Sequence, residues 1–377
     1  MRALFPVLLL NIFLIACSTP RQVSLSQITS LRFVGQYSLP HKMQFEGTTI
    51  GGLSGIDYSA KEKVFYLISD DRSDINPIRF YKAKIFTGGG QSNKVEFKSV
   101  YFLREKNGQV FPSRKQRRLG IPDPEAIRVL PSAKMIAWCS EGERIVKKDT
   151  VALTHPAVFL STLDGKWIDS LPIPENMRMQ AIAAGPRNNG VFEGLSFSTS
   201  GKKLFVGVEE PIYTDGPRAG LFDSSGWVRI LQYDLENRRP ETQYAYRIDP
   251  VAQEPISQGL FVVNGITDIL AINEKQLLVT ERSFSTGRLG NNIRVYLVDL
   301  TIAEDVSNTE ALHQAGNFTP LSKKLLLNMD SLGILVDNIE GATFGPKLPN
   351  GKQSLIFVAD DNFSPQQQNQ FLLFEVN

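Results

Sequence analysis

The sequence has little of what usually announces chemistry. Its 377 residues include two cysteines, Cys17 and Cys139, and three histidines, His41, His155 and His313, which share no spacing. With Cys17 in the N-terminal leader, no disulfide framework is left. Nor is there a Cys/His cluster of zinc-ligand type, a nucleophile elbow or a glycine-rich phosphate loop. Neither sign of charge dominates: 41 Lys and Arg oppose 39 Asp and Glu, a formal net charge of +2. Bulk charge therefore gives a nucleic-acid partner no support, and none is expected. The basic run Arg114-Lys115-Gln116-Arg117-Arg118 reads as a solvated loop. Cys139, between Trp138 and Ser140 in an apolar run, reads as a buried structural thiol, because a reactive thiolate needs exposure and nearby positive charge. No segment of useful length carries a helical period.

The only long apolar run lies at the start. Met1-Arg2 precedes an apolar stretch from Ala3 to Ile15, broken by Pro6 and Asn11, and then Ala16-Cys17-Ser18. This is the pattern of a secretory signal, too short for a comfortable membrane span. Leu14-Ile15-Ala16-Cys17 resembles the bacterial lipobox. That resemblance implies a signal over residues 1–16, a lipidated Cys17 at the mature N-terminus, and a tether over 17–30. Ser18 after the cysteine resembles outer-membrane sorting, so export to the bacterial cell envelope and membrane attachment through Cys17 are expected. An ordinary signal with a coincidental cysteine is the alternative.

What the chain does have is a repeat. Aligned on Ser54, Glu125, Glu193, Thr267 and Glu340, five similar units start 71, 68, 74 and 73 residues apart. The clearest runs from Phe192-Glu193-Gly194-Leu195-Ser196-Phe197 through a turn to Leu204-Phe205-Val206-Gly207-Val208-Glu209-Glu210. A near-constant period filled with β-branched and aromatic runs marks a repeat architecture. Four of the units hold four strand-like runs. The fifth holds three, at 339–344, 354–360 and 370–376, while Leu31–Leu39 precedes the first unit and belongs to none. If that N-terminal strand completes the last sheet, the ring closes and no open edge remains. The expected fold is an all-β propeller over 31–377 with five four-stranded blades, expected to be monomeric. Six blades stay open as an alternative if residues 250–265 or 301–322 hold another.

Two features recur in every unit. The aligned heads of the innermost strands, Ser54, Glu125, Glu193, Thr267 and Glu340, would converge on the axis. Three carboxylates and two hydroxyls at one point call for a cation, and hard oxygen donors suit Ca²⁺. The competing explanation is that these side chains hydrogen-bond backbone at strand entries. The second strands end in Asp70-Asp71-Arg72, Glu141, Glu209-Glu210, Glu281-Arg282 and Asp360-Asp361, on one face of the ring. There Asp70, Asp71, Glu209, Glu210, Asp360 and Asp361 are candidates for a catalytic metal shell or general base. Arg72 and Arg282 are candidates for holding an anionic substrate. Turn capping and structural ion pairs are the alternative.

At these residues the chain resembles the phytase-like family described as having esterase-like activity. The matching stretches are Gly52-Leu53-Ser54-Gly55-Ile56, Asp123-Pro124-Glu125-Ala126-Ile127, Phe192-Glu193-Gly194-Leu195-Ser196 and Asn338-Ile339-Glu340-Gly341-Ala342. The resemblance implies a secreted or surface β-propeller that hydrolyses a phosphoester or ester. The Ser, Glu, Glu, Thr, Glu order is also similar to the channel calcium site of five-bladed calcium-activated apyrases, from which Thr267 departs. A small anionic or ester substrate is therefore expected. Two rival readings are a non-catalytic envelope propeller that binds a protein or glycan, and a lactonase-type calcium propeller.

Overall fold

The structure, a computed structural model, describes residues 28–86, 94–130 and 132–377. The expected leader, Cys17 and the tether up to residue 27 lie outside them. Five four-stranded antiparallel sheets follow one another around a ring. Blade I is Gly55–Ser59, Val64–Ile68, Arg79–Phe86 and Lys94–Phe102. Blade II is Pro124–Leu130, Met135–Ser140, Ala157–Thr162 and Trp167–Leu171. Blade III is Phe192–Phe197, Lys203–Val208, Trp227–Asp234 and Arg239–Arg247. Blade IV is Val262–Ala271, Gln276–Ser285, Asn292–Asp299 and Ser322–Asn328. Blade V takes Asn338–Lys347, Gln353–Asp360 and Gln370–Val376 from the end of the chain and Leu31–Ser38 from its beginning.

That last pairing is the expected closure. Leu31 lies opposite Val376 and Ser38 opposite Gln370, and Phe33 packs on Phe374 with ring centroids 5.4 Å apart. The segments that would have held a sixth blade contribute only the first residues of the blade IV inner and outermost strands and irregular chain. Five blades is the count among the described residues. One connection differs from expectation: residues 142–155 contain a hairpin, Glu143–Lys147 paired with Thr150–Thr154. Among the described residues the helical turns are three short 3₁₀ segments, and no helix is long and apolar enough to cross a membrane.

Burial follows the radius. The inner strands Pro124–Leu130 and Phe192–Phe197 are buried at every position, while the outermost Arg239–Arg247 alternates. An inner strand is covered on both faces by adjacent blades, so it is buried at every position rather than at alternate ones. Apolar clusters fill the gaps between successive blades, for example Ile68, Phe80, Ile127 and Trp138 between I and II, and Leu39, Ile56, Val358 and Leu373 between V and I. Cys139 is buried in this packing, its thiol donating to the Phe192 carbonyl at 3.1 Å. Burial pushes that thiol up to about 12.

Candidate functional site

The inner strands enter one mouth of the axial channel through the same irregularity. Register shifts fall between Pro124 and Ile127, Phe192 and Gly194, Ile266 and Asp268, and Ile339 and Gly341. Those steps contain Glu125, Glu193, Thr267 and Glu340; in blade I, Ser54 stands just before the strand. A bulge bends its strand and re-aims the extra side chain, which lets these residues turn toward the axis while their neighbours face adjacent blades. The glycine that follows three of them has a packing reason. A Cβ at Gly55 would lie 2.8 Å from the Glu125 carbonyl, and one at Gly194 2.7 Å from the Ile269 amide. Backbones of successive blades touch at the narrow axis, so Ser-Gly and Glu-Gly combine a ligand-type side chain with a residue that has none.

The register also determines which member of each acidic pair joins the site. Ser140, Val208, Glu281 and Ala359 lie opposite the residues that precede the bulges. The residue that follows each of these, Glu141, Glu209, Arg282 and Asp360, together with Asp70 of blade I, forms a second tier above the first. Around Glu141, one oxygen each from Asp123, Glu125 and Glu141, and one each from Glu141, Glu193 and Glu209, lie within 4.8 Å of one another. The structure thus brings together Glu125, Glu193, Glu340, Asp70, Glu209 and Asp360 of the expected residues. Asp123, Glu141 and Asn338 complete the set. Asp123 and Asn338 each stand two residues before a bulge glutamate, on the same strand face.

Other expected residues have structural partners. Asp71 accepts from the amides of Asp74, Ile75 and Asn76 at 2.8, 3.1 and 2.7 Å and from Arg79 Nη1 at 2.7 Å. Asp361 accepts from the amides of Gly52 and Phe363 at 2.9 and 3.1 Å. Glu210 meets Arg218 Nε at 2.5 Å. The hydroxyls of Ser54 and Thr267 donate to the Pro124 and Ile339 carbonyls of the next blade, at 3.2 and 2.9 Å. Their protons are committed, which leaves the oxygen lone pairs for any ligand role. Arg72 lies 3.3 Å from Asp123 and 3.8 Å from Glu143. Arg282 binds Glu209 at 2.6 Å and Glu340 at 3.0 Å, and also donates to Asn338.

The electrostatics are severe. Burial, then Glu193 and Asp123, lift Glu125 well above the carboxylate range; burial, then Glu141 and Glu209, do the same for Glu193. Burial and then Asp360 raise Asp70, and burial and then Glu340 raise Asp360. Glu141 is pushed up to about 8 by burial, Glu209 and Asp123. Burial takes Glu340 to about 7 against the pull of Arg282, and Asp123 to about 6 against that of Arg72. Burial works against the Arg282 charge too, but Glu209, Glu340 and Glu193 outweigh it and hold the guanidinium protonated. Asp360 Oδ2 is buried without a hydrogen-bond partner. Like charges this close ionise together only if something positive joins them. The donors are all oxygen, so the set fits a hard divalent cation rather than zinc or copper.

Deeper in the channel lies a feature that the repeat alignment does not show. Arg128 Nη2 reaches Asp268 Oδ1 and Oδ2 at 2.8 and 2.7 Å. The same guanidinium donates to the carbonyls of Leu195, Ile56 and Ile269. Asp57 accepts from the Val129 amide at 2.7 Å and from Thr343 Oγ1 at 2.9 Å, and Asp268 accepts from the Ala342 amide at 2.7 Å. This plug ties all five blades together across the axis. Beyond it, the opposite mouth holds a cavity of about 300 Å³ with Tyr58, Phe197, Leu270 and Phe344 among its walls. Its walls are largely apolar, and the carboxylate tiers lie on the other side of the plug.

The family model described as "Phytase-like: Esterase-like activity of phytase" matches residues 48–363. No curated protein matches the chain. Among solved structures, the endo-arabinase from Bacteroides thetaiotaomicron VPI-5482 is similar at 11% identity and TM-score 0.41, over 86% of this chain and 93% of that one. A gluconolactonase from Xanthomonas campestris is similar at 10% identity and TM-score 0.38, over 95% and 99%. A protein of unknown function from Dyadobacter fermentans DSM 18053 gives 12% and 0.41, over 93% and 100%.

Proposed function

We propose, starting from the fact that this chain belongs to the Phytase-like family, that its acidic mouth is a calcium-dependent hydrolytic site for phosphoesters or carboxylic esters. The observation that carries the reading is the double tier of buried carboxylates with raised proton affinity at one channel mouth. Ser54, Glu125, Glu193, Thr267 and Glu340 would hold a structural ion. Asp70, Asp123, Glu141, Glu209 and Asp360 would hold the ion that works on the substrate. Bound there, calcium would polarise the scissile ester and acidify the attacking water.

The chain's own groups do the rest. An upper-tier carboxylate, Asp70 or Asp360, takes the proton that water loses as its oxygen bonds to phosphorus or the carbonyl carbon. The bond to the alcohol oxygen breaks, and the same carboxyl returns the proton to it. Arg282 and Arg72, each already beside a carboxylate, orient an anionic group rather than hold it alone. For the N-terminus we propose a lipid anchor on Cys17 in the bacterial envelope, supported by Leu14-Ile15-Ala16-Cys17.

The test is calcium content and melting temperature of the purified protein with and without chelator, beside Glu193→Gln. Bound calcium, with a melting temperature lowered both by chelator and by the variant, is expected. A panel of 4-nitrophenyl phosphates and esters then reads activity in calcium. No bound calcium and no chelator effect would overturn the metal site.

A further inference from the structure

The blade IV hairpin does not stop at the acidic mouth. Val262–Ala271 and Gln276–Ser285 remain paired beyond the bulge, with Gly265 opposite Arg282, Val263 opposite Phe284 and Val262 opposite Ser285. Residues two apart on a strand share a face and stand about 7 Å apart. Phe284 therefore rises directly above Arg282, on the face that Gly265 turns toward Glu209 of blade III. A Cβ at Gly265 would lie 2.5 Å from Glu209 Cγ, which fixes that orientation. Phe261 continues the same face, its ring centroid 6.2 Å from that of Phe284 and 53% exposed. From blade III, the Arg218 guanidinium lies 6.0 Å from the Phe261 ring while its Nε meets Glu210.

One wall thus runs from the Arg282 guanidinium to two phenyl rings, with the Arg218 guanidinium beside the outer ring. Water gains nothing from the exposed Phe261 ring beside the half-buried Phe284, and apolar surface beside a polar site marks where a ligand lies. A small inorganic or sugar phosphate would leave this shelf bare.

We propose that the substrate is an amphiphilic ester: its phosphoryl or carbonyl group sits in the acidic mouth, and an aryl or acyl group lies on Phe284 and Phe261 between blades III and IV. This deepens the hydrolase reading above and rests on it. Arg218, partly exposed and stacked on the shelf, accompanies the apolar group with a cation–π partner when that group is aromatic.

The experiment compares substrate pairs that differ only in the apolar part, with the full-length protein in calcium. The pairs are 4-nitrophenyl acetate with the octanoate, and 4-nitrophenyl methylphosphonate with 4-nitrophenyl phenylphosphonate, the members of each pair carrying the same charge. The apolar member is expected to show a KM about tenfold lower, the scale of a few buried methylenes. Phe284→Ser and Phe261→Ser should collapse that ratio toward one, while Phe261→Leu keeps most of it. Turnover with equal KM across each pair, or a ratio indifferent to these variants, overturns the inference and leaves the hydrolase reading standing.

No turnover of any substrate removes the hydrolase reading, and the shelf is then judged by binding of the aryl sulfonate 1-anilinonaphthalene-8-sulfonate. Fluorescence enhancement lost in Phe261→Ser/Phe284→Ser supports an amphiphile shelf; unchanged enhancement overturns it. Binding to phosphatidylglycerol vesicles that the double variant abolishes, without any KM ratio, would overturn it in favour of a membrane-facing surface.

Discussion

On the proposed reading, calcium and protons compete for the same carboxylates. In the absence of metal, Glu141, Glu340 and Asp123 release their protons near 8, 7 and 6, against about 4 in an unfolded chain. The folded state therefore binds more protons than the unfolded one between those limits, and stability falls as pH rises. The chelated protein should have a melting temperature that drops steadily from pH 5 to pH 8.5, whereas the calcium-loaded protein stays nearly flat. Calorimetry in both states checks this; a chelated protein that gains stability over that range would contradict the raised proton affinities. Arg282 works in the opposite direction. Its guanidinium lies between Glu209 and Glu340, so Arg282→Gln should raise calcium affinity by about tenfold through removal of one nearby positive charge. The same variant should lower the melting temperature of the chelated protein, because Glu209 and Glu340 lose their partner.

At the scale of strands, the repeat made most of the architecture readable. An apolar run, a turn, a second apolar run and an acid recur often enough to define blades, and the orphan Leu31–Leu39 announced the closure. Two things were not readable. The pairs Asp70-Asp71, Glu209-Glu210 and Asp360-Asp361 do not reveal which member faces the channel, because a one-residue slip exchanges the faces. The bulges settle it in blades III and V, and in blade I the amide and Arg79 contacts of Asp71 do. In Glu281-Arg282 the register admits the arginine, and Glu281 goes instead to Tyr246, Lys323 and Asn264 at 2.7, 2.6 and 2.7 Å. The hairpin over 143–154 was hidden by its charged turn, Lys147-Lys148-Asp149, which resembles an exposed loop. The closing strand provides the test at this scale. Deleting Leu31–Ser38 leaves Gln370–Val376 as an unpaired edge, and the product should lose cooperative melting and aggregate, read by light scattering during a thermal ramp.

Across the whole molecule, Arg128 is the residue that every blade depends on. It lies in an apolar strand run, Ile127-Arg128-Val129, and a charge in such a place is the one signal that could have disclosed the plug. Replacing one member of a fully buried, hydrogen-bonded ion pair leaves the other uncompensated, at a cost of about 3–5 kcal/mol. Arg128→Ala should lose that much in urea denaturation, and Arg128→Lys much of it, since an ammonium cannot match the planar fork. Calcium binding by Arg128→Lys at low temperature should persist, as the carboxylate tiers do not include it.

The plug has a kinetic meaning as well. A ring with a hole suggests a conduit, entered at one end and left at the other. With the guanidinium of Arg128 and the carboxylate of Asp268 locked across the bore, this passage is blind. If an ester is hydrolysed at the acidic end as proposed, its fragments must depart by the way the substrate came in. Traffic is two-way through a single doorway, so the acid and alcohol fragments stand in the path of the next molecule. Turnover should slow as product accumulates, with a competitive pattern for the fragment that retains the charge.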